Sequence, residues 1–144
     1  MSIKIAIGSD HAGFELKQQL IEYFKSADTS VSDKGCYNIE RADYPDYGHA
    51  VANAILSKEV NLGILMCGSG NGINMSANKH KGIRAALCWN EEIAKLARQH
   101  NDANILVLPA RYISFEEAKK CVVIFLNEKF EGGRHQQRIE KIDI

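Results

Sequence analysis

The chain has 144 residues, 45% of them hydrophobic and 25% charged, enough for one domain with a sizeable core. Lys plus Arg and Asp plus Glu both count 18, so the formal net charge is zero, which argues against a nucleic-acid or anionic-membrane binder. No apolar run reaches the about 20 residues of a membrane span, and the start "MSIKIAIGSDHAG" lacks the apolar stretch and cleavage site of a secretory signal.

"IKIAIG" (3–8) is short, apolar and closed by Gly, so it reads as a buried strand. "FELKQQLIEYF" (14–24) spaces Phe14, Leu16, Leu20, Ile21 and Phe24 near helical intervals. "DTSVSDKG" (28–35) is a weaker second strand. "ADYPDYGHAVANAIL" (42–56) opens as a Pro-containing loop and turns helical, with Ala50, Val51, Ala54 and Ile55 on one face. "NLGILMC" (61–67) is the next buried strand, and "GIRAALCW" (82–89) another. An Ala-rich helix follows in "NEEIAKLARQH" (90–100), then an apolar strand over 103–108. A long helix is predicted over 114–130, opened by the capping box of Ser114 and Glu117. The remainder is a polar tail, basic at first, behind a double Gly.

Strands alternating with helices predict an α/β fold: a Rossmann-like three-layer sandwich on a mostly parallel sheet of about five strands. The strands are continuous apolar runs, as expected when both sheet faces are covered. No repeat or linker interrupts 1–144, so a single domain is expected. Ligands in such sheets bind beyond the carboxyl ends of the strands. Those places hold "SDHAG", "CGSGNG" and "PARYI", while "RQHNDAN" precedes the last strand at a helix end. The four cysteines, Cys36, Cys67, Cys88 and Cys121, are widely spaced with no C-x-x-C, which fits neither a disulfide framework nor a zinc site. A reduced, cytoplasmic setting is expected.

In "CGSGNG", Gly68, Gly70 and Gly72 allow successive amides to turn inward ahead of a helix starting near Ile73, which makes an anion site. Ile73 excludes the dinucleotide fingerprint, a Walker loop and a C-x5-R phosphatase loop, each of which needs another residue there or nearby. The loop then holds a developing oxyanion or a sugar oxygen beside Cys67, or it is a tight turn over a buried thiol. A helix N-terminus would make Cys67 more acidic and usable as nucleophile or base. Cys88 and Cys121 fall inside apolar patterns and read as core. Asp10 and His11 suit proton transfer or ligand hydroxyls, while Ser9 or Asp10 equally suits a helix cap. His100 and Asn101 close the Ala-rich helix, either as functional groups or as a C-terminal cap with Asn101 left-handed. Arg134 and Arg138 are four apart, with His135 between them, and share one face of a helix. Such a pair suits a phosphate, joined by Arg111, or is a solvated basic tail. Lys79, His80 and Lys81 read as an exposed helix end.

Together the segments "GSDHAGFELK", "DYPDYG", "CGSGNGI", "ANKHKGIRAALC", "RQHNDANIL" and "FEGGRHQQRI", spread over 8–139, resemble the type B ribose-5-phosphate isomerases and their galactose- and allose-6-phosphate isomerase relatives. The resemblance implies an aldose–ketose isomerase without metal or organic cofactor, and a homodimer, or a tetramer built from it, with sites between subunits. The tail 132–144 is expected to reach the partner. By that resemblance Cys67 is the base moving a proton between C2 and C1. The backbone of Gly68, Ser69, Gly70, Asn71 and Gly72 holds the enediolate. His100 opens the furanose ring with Asp10 nearby, and Asn101 binds the sugar. His11, Arg111, Arg134 and Arg138 bind phosphate. Ser69 stands where many relatives carry Thr, and keeps the hydroxyl. One branch uses a Glu base at the position of Ile73, which cannot take a proton, leaving Cys67. Interconversion of ribose 5-phosphate and ribulose 5-phosphate is the leading expectation. A six-carbon phosphosugar isomerase and a catalytically silent phosphosugar-binding subunit are the alternatives.

Overall fold

Five strands lie in one all-parallel sheet in the order β2-β1-β3-β5-β4. The computed structural model describes residues 3–144; Met1 and Ser2 of the expected domain lie outside the described residues. In chain order the elements are β1 (Ile3–Ser9), α1 (Phe14–Phe24), β2 (Thr29–Asp33), α2 (Tyr44–Leu56), β3 (Leu62–Cys67), α3 (Asn71–Ala77), β4 (Ala85–Leu87), α4 (Glu91–Asn101), β5 (Ile105–Pro109), α5 (Phe115–Asn127) and α6 (Arg134–Ile139). Single 3-10 turns follow β1 at His11–Gly13 and β5 at Ala110–Tyr112.

The apolar strands fill both faces by alternation. Ile5, Ile7, Ile64, Met66, Leu106 and Leu108 point to the layer of α1, α4 and α5. Ala6, Leu65, Cys67, Ile105 and Val107 point to the layer of α2 and α3. This is the three-layer sandwich expected from the sequence, and its two cores put Cys88 and Cys121 in the first layer and Cys67 in the second. Among the described residues no helix is long and apolar enough to cross a membrane.

Several boundaries differ from the sequence reading. Tyr44 already begins α2, because Pro45 falls in the first turn, where its missing N–H costs nothing. In "GIRAALCW" only Ala85–Leu87 is strand, an edge strand paired on one side. The tail is not merely a polar extension: α6 packs on α4, and Asp143 accepts a hydrogen bond from the Gly82 amide at 3.1 Å. The expected cap at Ser114 is present, its Oγ accepting from the Glu117 amide, and α4 has a cap that the sequence reading did not assign, Asn90 Oδ1 accepting from the Ile93 amide. His80 is half-buried rather than free, with its ring Nε2 2.7 Å from His49 Nδ1.

Two features bring the β1 exit against β3. Gly13 stacks directly on Met66, where a Cβ would come within 2.7 Å of the Met66 carbonyl oxygen, so no other residue lets the turn lie so close. On the other side the fully buried Lys17 ammonium donates to Asp33 at 2.7 Å, and Asp33 also accepts from the Gly35 amide. Gly35 and Cys36 in turn bond the backbone of Ser9, at 2.7 Å each. The ion pair offsets the desolvation of Lys17 and locks the segment after β2 alongside Asp10.

Candidate active site

The chain reverses after β1 and β3 in opposite directions across the sheet, which leaves a crevice between their carboxyl ends. Cys67 ends β3 there, 5% exposed. Gly70 takes φ +83°, a left-handed turn that starts α3 at Asn71, two residues ahead of the expected Ile73. The turn aims the amides of Ile73, Gly70 and Gly72 at the Cys67 sulfur. The Asn71 amide instead binds the Ser69 hydroxyl at 3.2 Å.

The loop does not make the free thiol more acidic, as the sequence reading expects. Burial pushes the Cys67 thiol up and Asp10 adds to it, against the three amides. Desolvation of a charged sulfur outweighs dipoles supplied by so short a helix. At neutral pH Cys67 of the free protein is therefore a protonated thiol. Its alkylation by iodoacetamide is expected to be slow at pH 7 and still rising above about pH 9, measured by mass spectrometry of the Cys67 peptide. A plateau below pH 8 would contradict this. Cys88 and Cys121, pushed up to about 12 by burial, stay unmodified in the same experiment.

Asp10 serves as the cap allowed by its sequence: its Oδ1 accepts from the Gly13 amide at 3.1 Å. The same carboxylate lies close enough to Cys67 to oppose ionisation of the thiol, so capping and a place in the site coexist. His11 Nδ1 lies 3.1 Å from the Ala42 amide and 3.3 Å from the Ala42 carbonyl oxygen. The shorter contact sets the tautomer: an amide only donates, so the neutral ring carries its proton on Nε2. Arg111 donates its amide to the Gly68 carbonyl at 3.0 Å and lays its guanidinium over Gly68. The ring of Tyr44 covers Gly72. Tyr44 was legible only as a letter within "DYPDYG"; nothing about its spacing marked it.

A second group forms elsewhere. Asp102, not Asn101, takes the left-handed position that ends α4, at φ 46°, because Arg98 and Arg84 both grip its carboxylate. His100 stacks on His135 of α6, with ring centroids 4.3 Å apart and planes 14° from parallel. Glu131 approaches both rings, 3.8 Å from His100 Nε2 and 3.6 Å from His135 Nε2. Arg134 and Arg138 are four apart on α6 and exposed, as the spacing predicts.

These two groups do not meet within one chain. Arg84, which leads into β4, binds the carbonyls of Asn101 and Asp102, so His100 and Asn101 sit at the amino edge of the sheet. Cys67 sits at the carboxyl edge. The register pairs Gly63 with Ile105 and Cys67 with Pro109, and those four steps alone span about 13 Å. Asp10, His11, Cys67, the glycine loop and Arg111 are brought together; His100, Asn101, Arg134 and Arg138 form the other cluster.

A family profile for ribose/galactose isomerases matches residues 5–142. The chain belongs to the ribose/galactose isomerase family. It is 48% identical to ribose-5-phosphate isomerase B of Escherichia coli K12, over 96% of this chain and 93% of that protein. A crystal structure of a ribose 5-phosphate isomerase from Thermotoga maritima superposes with a TM-score of 0.97 at 52% identity, covering 98% of this chain and 97% of that one. Ribose-5-phosphate isomerase B of Mycoplasma genitalium, solved with bound ribulose-5-phosphate, superposes with a TM-score of 0.91 at 46% identity, covering 96% and 93%.

Within this family member, one group among the described residues has metal-ligand composition: His100, Glu131 and His135, with donor atoms within 4.8 Å of one another. Imidazole lone pairs lie in the ring planes. Two rings only 14° from parallel aim those pairs side by side, so they do not converge on one ion. The arrangement suits a proton better than a metal.

Proposed function

We propose that this chain interconverts ribose 5-phosphate and ribulose 5-phosphate, as a homodimer in which each site combines the Cys67 edge of one chain with the His100 edge of the other. The observation that carries the reading is the Cys67 sulfur at a strand end, with the amides of Gly70, Gly72 and Ile73 facing it. Relatives named as ribose-5-phosphate isomerase B, one of them with ribulose-5-phosphate bound, support the substrate.

The chemistry divides between the edges. To open the furanose, the C1–O4 bond breaks, His100 of the partner subunit gives O4 a proton, and Asp10 takes the C1 hydroxyl proton. Cys67 as thiolate then removes the C2 proton and returns it to C1. The negative oxygens of the enediolate lie against the amides of Gly68, Ser69, Gly70 and Gly72, preorganised donors of the kind that supply most of such stabilisation, while the Asn71 amide holds the Ser69 hydroxyl in the same loop. His11 donates through Nε2. Together with Arg111 and the partner's Arg134 and Arg138 it holds the phosphate, and Asn101 of the partner subunit holds a sugar hydroxyl. The remote phosphate positions C1 and C2, and the arginines around it bring positive charge toward Cys67, which favours the thiolate needed for turnover.

Dimerisation also has an apolar argument. Tyr37, Ile39, Met75, Trp89 and Tyr112 are large and exposed, and all but Met75 lie in the segments that follow the carboxyl ends of β2, β4 and β5. Exposed apolar side chains in such number suit a second copy of the chain. The tail 132–144 presents α6, with Arg134 and Arg138, to that copy. Four cysteines free of disulfides fit a reducing cytoplasm.

The test is turnover of the purified protein on ribose 5-phosphate, allose 6-phosphate and galactose 6-phosphate. kcat/KM for ribose 5-phosphate is expected to exceed the others by about tenfold or more. Preference for a hexose phosphate overturns the substrate. Tight binding without turnover makes the chain a silent phosphosugar-binding subunit.

A further inference from the structure

Glu131 is placed with a care that the proposed chemistry has not used. Its own amide donates to the Gln99 carbonyl at 3.0 Å, fixing the strap after α5 to the last turn of α4. Three residues earlier, the Glu128 carboxylate accepts from Gln99 Nε2 at 2.9 Å, a second tie to the same turn. The half-exposed Glu131 carboxylate is thereby placed beside the stacked pair, 3.8 Å from Nε2 of His100 and 3.6 Å from Nε2 of His135. The His135 ring is 6% exposed and its buried Nε2 has no hydrogen-bond partner. The other charges around His135 are the Arg134 and Arg138 guanidiniums of α6 and the His100 ring itself. Glu131 is thus the negative group set against these positive ones.

We infer that Glu131 is a positioning residue for furanose opening: its carboxylate orients the His100 ring, backed by the stacked His135, and balances the positive charge that ring carries before it protonates O4. The inference rests on the isomerase reading above. It does not involve the enolisation at Cys67, which lies at the opposite edge of the chain.

Substrate chemistry separates the two steps. An aldopentose 5-phosphate closes through O4 and must be opened before C2 can lose its proton. A ketopentose 5-phosphate cannot close a ring on C2 through O5, because O5 carries the phosphate. Ribulose 5-phosphate therefore reaches Cys67 already acyclic. Deuterium uptake from solvent at C1 of ribulose 5-phosphate reports enolisation alone, and consumption of ribose 5-phosphate reports opening as well.

For Glu131→Gln, kcat on ribose 5-phosphate is expected to fall about tenfold or more with KM little changed, while C1 exchange of ribulose 5-phosphate stays within about twofold of the unaltered protein. Glu131→Asp, which keeps the carboxylate, is expected to recover a large part of kcat. Equal loss of both readouts would make Glu131 a merely structural residue and overturn the inference, as would unchanged consumption of ribose 5-phosphate. Failure of the unaltered protein to exchange deuterium into ribulose 5-phosphate would instead remove the isomerase reading, and this inference with it.

Discussion

Cys67→Ala is expected to lower kcat for ribose 5-phosphate by about a thousandfold, within the range that a general base contributes. KM should change little, because the substitution leaves the phosphate ligands His11 and Arg111 in place, and Arg111 is held to Gly68 through its own backbone amide. The fold should survive: Cys67 is a small member of the α2–α3 core, and loss of one buried sulfur costs on the order of 1 kcal/mol. Cys67→Ser should be nearly as inactive, because a hydroxyl surrounded by the same amides is far too weak an acid to yield a base. Steady-state kinetics with a coupled assay, beside a melting curve, checks both. Full activity in Cys67→Ala would remove the assigned base, since Ile73 offers no substitute.

The second large effect is expected at Gly70. Its φ of +83° strains any residue with a Cβ, and that Cβ would come within 2.5 Å of Leu87 Cδ1, with the Leu108 backbone at 3.4 Å. The backbone penalty is about 1 kcal/mol. Relief of the contact requires the turn to move, and with it the amides facing Cys67. Loss of one such donor costs about 3 kcal/mol of transition-state stabilisation, so Gly70→Ala should lose at least about a hundredfold in kcat/KM. Gly82→Ala is the matched control. Gly82 has φ +88°, and the nearest atom its Cβ would meet, Leu56 Cδ2, is at an ordinary 3.4 Å and belongs to neither cluster. It should share the stability loss and keep the kinetics. Equal kinetic loss in both variants would show that strain, rather than the direction of the amides, limits activity.

Buried strands were the most legible part of the fold. "IKIAIG", "NLGILMC" and the run at 103–108 are apolar on both faces, and only a sandwiched parallel sheet leaves such runs intact. The edge was harder: β4 keeps three residues because a strand paired on one side needs little sequence to define it. Side-chain competition also escaped the sequence. Asn101 and Asp102 are both plausible left-handed residues, and the choice falls to Asp102 because Arg84, some twenty positions away along the chain, reaches it. Acidity of Cys67 depended on a balance between amides and burial, and only packing sets the burial. The site was legible as a collection of residues. Its division between two sheet edges was not, because the distance from Cys67 to His100 follows from the β3–β5 register rather than from spacing.

That division is the central claim, and mixed dimers test it directly. Cys67→Ala and His100→Asn should each be almost inactive alone. In a dimer with one chain of each kind, one site receives both defects and the other receives intact Cys67 and intact His100. Random mixing after co-refolding makes half the dimers hybrid, so the mixture should regain about a quarter of the unaltered activity. A mixture no more active than its two parents would contradict a site shared between chains.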